Sequence, residues 1–211
     1  MTSTLGVYNQ KSSNINMQRI LALLFFILTL PLYPFFYVFI KTSSSGPFIF
    51  RQTRVGKNKK LFVIYKFRTM VENAEELKNK YSSLNEAQGP VFKIRNDPRY
   101  TPFGKFLAHT ALDELPQFIN IIKGEMVFVG PRPLPTNEAK SIPKKYNARY
   151  TVLPGLTSPW VIKGGHSLSF DEWMKLDCEY VTTKNTIVDL LIISKTLLML
   201  LKSLPSALWY D

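Results

Sequence analysis

The sequence predicts a mixed α/β (α+β) protein seated on one leaflet of a membrane, and three features predict it. An uncharged apolar run of 21 residues, Ile20 to Ile40, is interrupted by Pro31 and Pro34. Two short β-forming runs flank a polar turn at residues 56–60. A well-delimited helix pattern begins at a pair of carboxylates, Asp113 and Glu114. With 211 residues, 45% hydrophobic and 20% charged, the chain is long enough for about one domain and too apolar for disorder.

Net charge is +12, from 27 Lys and Arg against 15 Asp and Glu. Residues 1–71 hold ten of the basic residues and no acid, so the excess is nearly all N-terminal. Such a region wants polyanions: nucleic acid, an anionic leaflet or phosphorylated substrates. The adjacent apolar run argues against a soluble nucleic-acid binder, and no nucleic-acid-reading motif accompanies the charge. Cys178 is the single cysteine, so it makes no internal disulfide, and with His109 and His166 far apart it supplies no zinc pattern.

The run ILALLFFILTLPLYPFFYVFI exceeds the roughly 18 apolar residues that license a membrane reading. It is longer than the roughly 7–15 residues of a signal core and no small-x-small cleavage site follows, so retention is expected. Pro31 and Pro34 each remove a backbone donor and crowd the preceding turn, which predicts a sharp kink. Basic residues flank both ends, Lys11 and Arg19 before it and Lys41 with the Arg51 to Lys60 cluster after it. The positive-inside bias therefore selects neither orientation. The expected form is a helix that enters one leaflet, breaks at the prolines and returns. An ordinary bent transmembrane helix is the alternative, because spanning helices tolerate prolines when neighbours satisfy the freed groups. That alternative would leave residues 1–19 across the membrane.

After a turn at Gly46-Pro47, Phe48 to Arg51 and Leu61 to Phe67 read as a β-hairpin around Gly56 to Lys60. Residues 71–88, VENAEELKNKYSSLNEAQ, are charged and helical in pattern, and a solvated surface helix is expected there. Residues 97–180 are dense in Pro, Gly and polar residues, and loops are expected to dominate. Within them TALDELPQFINIIKG reads as a helix that starts at Asp113, with Pro116 in the first turn where its missing amide is harmless. Lys123-Gly124 closes it with a basic last turn and a glycine cap, and Phe118, Ile121 and Ile122 supply the apolar face. Finally, Ile187 to Leu204 carries Asp189, Lys195 and Lys202 six or seven residues apart, read as one charged face of a helix lying in the interface plane. Trp209 and Tyr210 would then sit among headgroups. A core helix of the globular part fits this stretch equally well.

Adjacent carboxylates at a helix start are commonly a cap and a dipole-complementing neighbour. The sharper reading makes one a nucleophile toward a phosphate and the other a ligand for a divalent cation, because an anion approaches an anion only when metal and basic groups screen both. Magnesium, a hard oxygen-loving ion, suits this role. The screening candidates are Lys66 and Arg68 in KFRTM, Arg99 in NDPRYT, Arg132 in GPRP and Arg149 in NARY. Arg132 lies between Pro131 and Pro133, so its backbone is stiff and its fork is ready for bidentate phosphate binding. Taken singly, each arginine also fits a surface ion pair.

These residues resemble the bacterial sugar transferases, small monotopic phosphoglycosyl transferases that start glycan assembly on a lipid carrier. The resemblance runs from about Met17 to Pro205 through GPFIFRQTRVG, FVIYKFRTM, DPRYTPFGKFL, LDELPQFINIIKGEMVFVGPRP, Arg149, LPGLT and DCEYV. It implies transfer of a sugar 1-phosphate from a UDP-sugar to polyprenyl (undecaprenyl) phosphate at the cytoplasmic face of the bacterial inner membrane, with release of UMP. It implies Asp113 as the nucleophile of a covalent phosphosugar intermediate, Glu114 as the magnesium ligand, and Pro31 with Pro34 as the hairpin prolines. On this reading residues 1–19 are an N-terminal tail, 20–40 the re-entrant hairpin, 41–186 a cytoplasmic catalytic domain and 187–211 a C-terminal interfacial amphipathic helix. The resemblance admits a homodimer, which no feature of the chain demands. Three departures stand out: Ala108, followed by His109, where the family carries an arginine; Gln18-Arg19 with no following Asp at the hairpin start; and Ser158-Pro159 in PGLTSPW. The first of these supports a second hypothesis, a catalytically impaired homologue that binds polyprenyl phosphate or anionic lipid as a scaffold.

Overall fold

The structure, a computed structural model, describes residues 15–87, 89–165 and 168–208, with side chains through residue 202. The tail before residue 15, His166, Trp209 and Tyr210 lie outside the described residues. The apolar run forms α1 (Ile15–Thr29) and α2 (Leu32–Ser43), bent by 65° at Leu30-Pro31. Pro31 sits at the break, where it can donate no amide to the preceding turn. Pro34 lies in the first turn of α2, where an amide would be unpaired in any case, so it adds no second break. At 1.5 Å per residue the two limbs are about 22 and 18 Å long, each short of the roughly 30 Å hydrocarbon core. Among the described residues no single helix is long and apolar enough to cross a membrane.

Both outer ends of this bent pair are held by the same globular body. Near the start of α1, Gln18 accepts the Phe128 amide at 3.1 Å and Arg19 donates to the Lys123 carbonyl at 3.3 Å, while Ala22 is buried beside Phe118. At the end of α2, Arg68 donates to the carbonyls of Ile40 (3.2 Å), Ser44 (2.6 Å) and Ser45, placing a cation on the orphan carbonyls of a helix C-terminus. Phe36 and Ile40 are buried there against Phe67 and Leu107. The outward surfaces of α1 and α2 remain apolar and exposed, from Ile20 and Leu24 through Leu28, Phe35 and Val38.

The hairpin consists of β1 (Ile49–Val55) and β2 (Leu61–Phe67), antiparallel, with Ile49 opposite Phe67 and Val55 opposite Leu61. β1 extends four residues past the expected Arg51. The polar Gln52, Thr53 and Arg54 still alternate between the sheet faces, and the turn closes at Asn58 and Lys59 with positive φ of 53° and 59°. Among the described residues of 71–88 the expected surface helix is absent, and only single 3-10 turns form, at Glu76–Lys78 and Ser82–Leu84. The apolar positions of that stretch, Val71, Ala74, Leu77 and Tyr81, are only half-buried and Leu84 is exposed, so little burial stabilises a longer helix.

The stretch 97–180 is far more regular than expected. It contains α3 (Pro102–His109), a 3-10 segment Leu112–Gln117, α4 (Phe118–Lys123), β3 (Val127–Val129), β4 (Leu134–Pro135), α5 (Thr136–Lys140), a 3-10 segment Lys144–Thr151, β5 (Gly155–Thr157), α6 (Pro159–Ile162) and α7 (Phe170–Thr183). β4 pairs with the free edge of β1, and β3 with β5 in parallel. Two helices here carry local start signals that the Pro and Gly density obscured. Thr101 caps α3 by accepting the Gly104 amide, with Pro102 at its first position, and Ser169 with Glu172 forms a capping box on α7. The β3–β5 pairing brings backbone against backbone, since a Cβ on Gly155 would stand 2.0 Å from the Gly130 amide nitrogen.

The last element, α8 (Thr186–Leu208), rests on the body through Ile192 and Val188 against Val129 and Tyr180. Asp189 faces inward too, 2.6 Å from the Tyr180 hydroxyl. The three charges therefore do not share one face: six residues turn about 600°, which leaves Asp189 and Lys195 roughly 120° apart. The outward face is Ile187, Leu190, Leu191, Leu197, Leu198 and Leu201, all exposed.

Candidate active site

Ala111 adopts a left-handed conformation (φ 55°), and the chain then tightens into the 3-10 segment Leu112–Gln117 before relaxing into α4. The expected α-helical start at Asp113 is thus a 3-10 turn opened by Ala111, while the end at Lys123 with a left-handed Gly124 (φ 76°) is as expected. This geometry turns both carboxylates toward β2. Lys66 Nζ lies 2.7 Å from Glu114 Oε1 and 3.2 Å from Asp113 Oδ2. Arg132, from the loop between β3 and β4, approaches Glu114 Oε1 at 3.7 Å, and Gln117 Nε2 donates to Glu114 Oε2 at 3.0 Å. Asn120 holds the strand in register with the turn, donating to the Val63 carbonyl at 2.7 Å and accepting the Tyr65 amide at 3.3 Å.

The two carboxylates sit in different fields. Burial, reinforced by the Glu114 charge, raises Asp113 above the ordinary carboxylate range although Lys66 opposes it. For Glu114 burial is outweighed by Lys66, Arg132 and the Gln117 hydrogen bond, which together hold it at about 2. Neighbouring acids pushed in opposite directions are a common mark of chemistry. Tyr100 belongs to the same field: burial first, then Asp113 and Asp97, push its phenol up to about 12, so it stays neutral and able to donate.

Of the five basic candidates, the structure brings Lys66 and Arg132 to the carboxylates and gives Arg68, Arg99 and Arg149 structural partners. Arg68 is buried under the α2 carbonyls described above. Arg99 grips Asp97 with two nitrogens, at 2.8 and 2.6 Å, and donates to the Ala74 carbonyl at 2.9 Å, tying down the 71–100 loop. Arg149 is buried against Asp177, at 2.7 and 3.1 Å, and donates to the Arg132 carbonyl at 2.8 Å, so it acts on the site through the backbone of Arg132. Each of these three has protein acceptors as its described partners, whereas Lys66 and Arg132 face the carboxylates.

A family model described as bacterial sugar transferase covers residues 10–203. The chain belongs to the bacterial sugar transferase family. It is 41% identical over 157 residues to the galactosyl transferase CpsE of Streptococcus agalactiae serotype III (strain NEM316), covering 74% of this chain and 35% of that protein. It is 36% identical over 171 residues to the undecaprenyl-phosphate galactose phosphotransferase of Salmonella typhimurium, covering 76% and 35%. It is 34% identical over 182 residues to the exopolysaccharide production protein ExoY of Sinorhizobium fredii, covering 84% and 80%. The chain thus spans about a third of the length of the first two relatives.

Ala108 lies near the end of α3, and the following His109 donates from Nδ1 to the Lys105 carbonyl at 2.7 Å with its ring 6.2 Å from Tyr100. Magnesium usually takes one or two carboxylates, with phosphate oxygens and waters completing its shell. Among the described residues no cluster of three or more His, Cys, Asp or Glu converges. Glu114 beside Asp113 supplies the carboxylate share, so the residues present fit an ion that arrives with a phosphorylated substrate. Tyr100, Arg54 and Lys93 were not singled out from sequence, although Tyr100 and Arg54 carried a signal, their places in DPRYT and GPFIFRQTRVG.

Proposed function

We propose that this chain transfers a sugar 1-phosphate from a UDP-sugar to polyprenyl phosphate on the cytoplasmic face of the bacterial inner membrane, through an aspartyl-phosphosugar intermediate. A carboxylate oxygen of Asp113 attacks the sugar-bearing phosphorus, the bond to the bridging oxygen breaks, and UMP leaves with that electron pair. A phosphate oxygen of the lipid then attacks the same phosphorus and the Asp113 carboxylate leaves. The observation that carries this reading is Lys66 bridging two adjacent carboxylates, at 2.7 and 3.2 Å, with Arg132 beside them. Asp113, raised by burial, is the stronger nucleophile of the two once ionised, while Glu114 stays anionic and is the residue to hold magnesium. The ion would neutralise charge building on the phosphate oxygens when bound. Lys66 opposes the rise at Asp113 and so favours its ionised form, and Arg132 lies beside the carboxylates where a phosphate would approach. The names of the Streptococcus and Salmonella relatives, a galactosyl transferase and an undecaprenyl-phosphate galactose phosphotransferase, support the reaction class.

The same reading includes a monotopic, re-entrant attachment. Each limb of the α1–α2 pair is shorter than a bilayer core, and both outer ends are tied to one globular body, which favours return to the same side over a span. The exposed apolar face of α8 supports an interfacial helix beside it. A site at that boundary meets a water-soluble donor and a lipid-dissolved acceptor in turn.

Purified protein with magnesium, undecaprenyl phosphate and a panel of UDP-sugars should release UMP, and Asp113→Asn should abolish release while vesicle binding persists. Absence of release across a broad panel, or release that survives Asp113→Asn, would overturn the reading, the first outcome favouring a lipid-binding scaffold.

A further inference from the structure

Beside the carboxylates lies a cleft that the chemistry above leaves unassigned. Arg54 and Arg132 line it and also line the small pocket shared by Lys66 and Glu114, so the two spaces adjoin across these guanidiniums. Lys93 lies on the same lining. It is carried by a loop that Asn85 cross-ties, its Oδ1 accepting the amides of Ala87 at 3.2 Å and Lys93 at 2.8 Å. The rest of the lining is largely apolar and aromatic, including Phe170 and the indoles of Trp160 and Trp173, stacked 4.7 Å apart.

The cations here crowd one another. Arg54 donates to the Pro133 carbonyl at 3.1 Å, yet its Nε is buried with no hydrogen-bond partner among the described residues. Burial and then Arg132 push Arg54 down to about 10, and burial followed by Arg132 and Lys66 pushes Lys93 down to about 7. Glu86 and Glu138 are the acids on the lining, and Glu138 is itself raised by burial. A set of mutually repelling cations with an unused buried donor, backed by an aromatic wall, is built to receive an anion with a flat apolar end.

We propose, resting on the transferase reading above, that this cleft holds the nucleoside diphosphate of the soluble donor, its phosphates on Arg132, Arg54 and Lys93 and its nucleoside toward the aromatic wall. The phosphate next to Arg132 is then the one presented to Asp113, and the departing nucleotide remains in the cleft after the bond breaks. Lys93 lies outside every motif that carries the family resemblance, so it is a binding residue that the sequence pattern does not announce.

The test is UMP binding by calorimetry to Asp113→Asn protein, in which turnover is absent and the cleft is intact. Adding Lys93→Met should weaken UMP binding about tenfold, the loss of one charge-assisted contact. Lys93→Arg should retain affinity, and unfolding temperatures should match the parent in both. Arg54→Met should show a comparable loss, and the Lys93 pair keeps the test decisive if Arg54→Met fails to fold. UMP affinity that is indifferent to Lys93→Met in the Asp113→Asn background, while the protein with Asp113 intact releases UMP on turnover, would overturn the cleft assignment and leave the transferase reading standing. Lys93-dependent UMP binding in a protein that never turns over would do the reverse. No UMP binding at all would overturn the assignment outright.

Discussion

Asp177 and Arg149 form the most enclosed ion pair described in the molecule, with side chains 0% and 1% exposed, and Arg149 passes its constraint on to the Arg132 carbonyl. Replacing Asp177 with Asn leaves the Arg149 charge buried without its counter-ion. Breaking such a pair from one side costs roughly 3–5 kcal/mol, because the desolvated partner remains. For a chain of this size each kcal/mol moves the unfolding midpoint by roughly 2–4 °C, so Asp177→Asn should unfold roughly 6–20 °C below the parent. Replacing both partners, Arg149→Met with Asp177→Leu, removes the buried charges together and should recover most of that loss. The measurement is thermal unfolding in detergent, followed by intrinsic fluorescence. UMP release by Asp177→Asn at a temperature where it is fully folded should also fall, since the Arg132 loop loses its anchor. An unfolding midpoint for Asp177→Asn within about 2 °C of the parent, or a double variant no better than the single one, would refute the argument.

Four further outcomes follow from the site and the surface. Lys66→Met should lower UMP release about 100-fold or more, because the ammonium that screens both carboxylates is lost at the reacting centre; a coupled nucleotide-release assay reads this. Only ionised Asp113 attacks, so release should fall as pH drops through its raised value, giving an acid limb above the ordinary carboxylate range, and Lys66→Met should move that limb to still higher pH. By linkage, a carboxyl raised on folding opposes folding wherever it is ionised. Asp113→Asn should therefore unfold at a higher temperature than the parent at neutral pH, with the gain shrinking as pH falls through the raised value toward the unfolded value of 3.8. On α8, Leu190→Asp and Leu197→Asp, at positions 60% and 55% exposed, should cut co-sedimentation with anionic vesicles without lowering the unfolding temperature, because neither residue is packed in the body.

Several elements were legible because they depend on neighbours in the chain. The break at Pro31 follows from a missing amide, the β-hairpin from two β-forming runs around a polar turn, and the end of α4 from Lys123-Gly124. The reading erred where a local pattern needs a tertiary partner to decide it. Residues 71–88 had helical spacing, but their apolar positions Val71, Ala74, Leu77 and Tyr81 are only half-buried and Leu84 is exposed, and 3-10 turns resulted. Asp189 looked like a member of an outer charged stripe and instead turned inward to Tyr180. The capping signals at Thr101-Pro102 and Ser169-Glu172 were present in the sequence and were lost among the prolines and glycines around them.

What the sequence determined alone was the chemistry on offer: adjacent carboxylates beside an N-terminal excess of basic residues, next to an apolar segment that cannot run straight. Which cations serve the site was decided only by the fold. Lys66, Arg68, Arg99, Arg132 and Arg149 carry the same formal charge, and a guanidinium or ammonium binds whatever acceptors folding brings within hydrogen-bond reach. Three met carbonyls or a buried Asp first. Lys66 and Arg132 met the carboxylates, because Asn120 fixes β2 against α4 and because Arg149, itself held by Asp177, grips the backbone of the Arg132 loop.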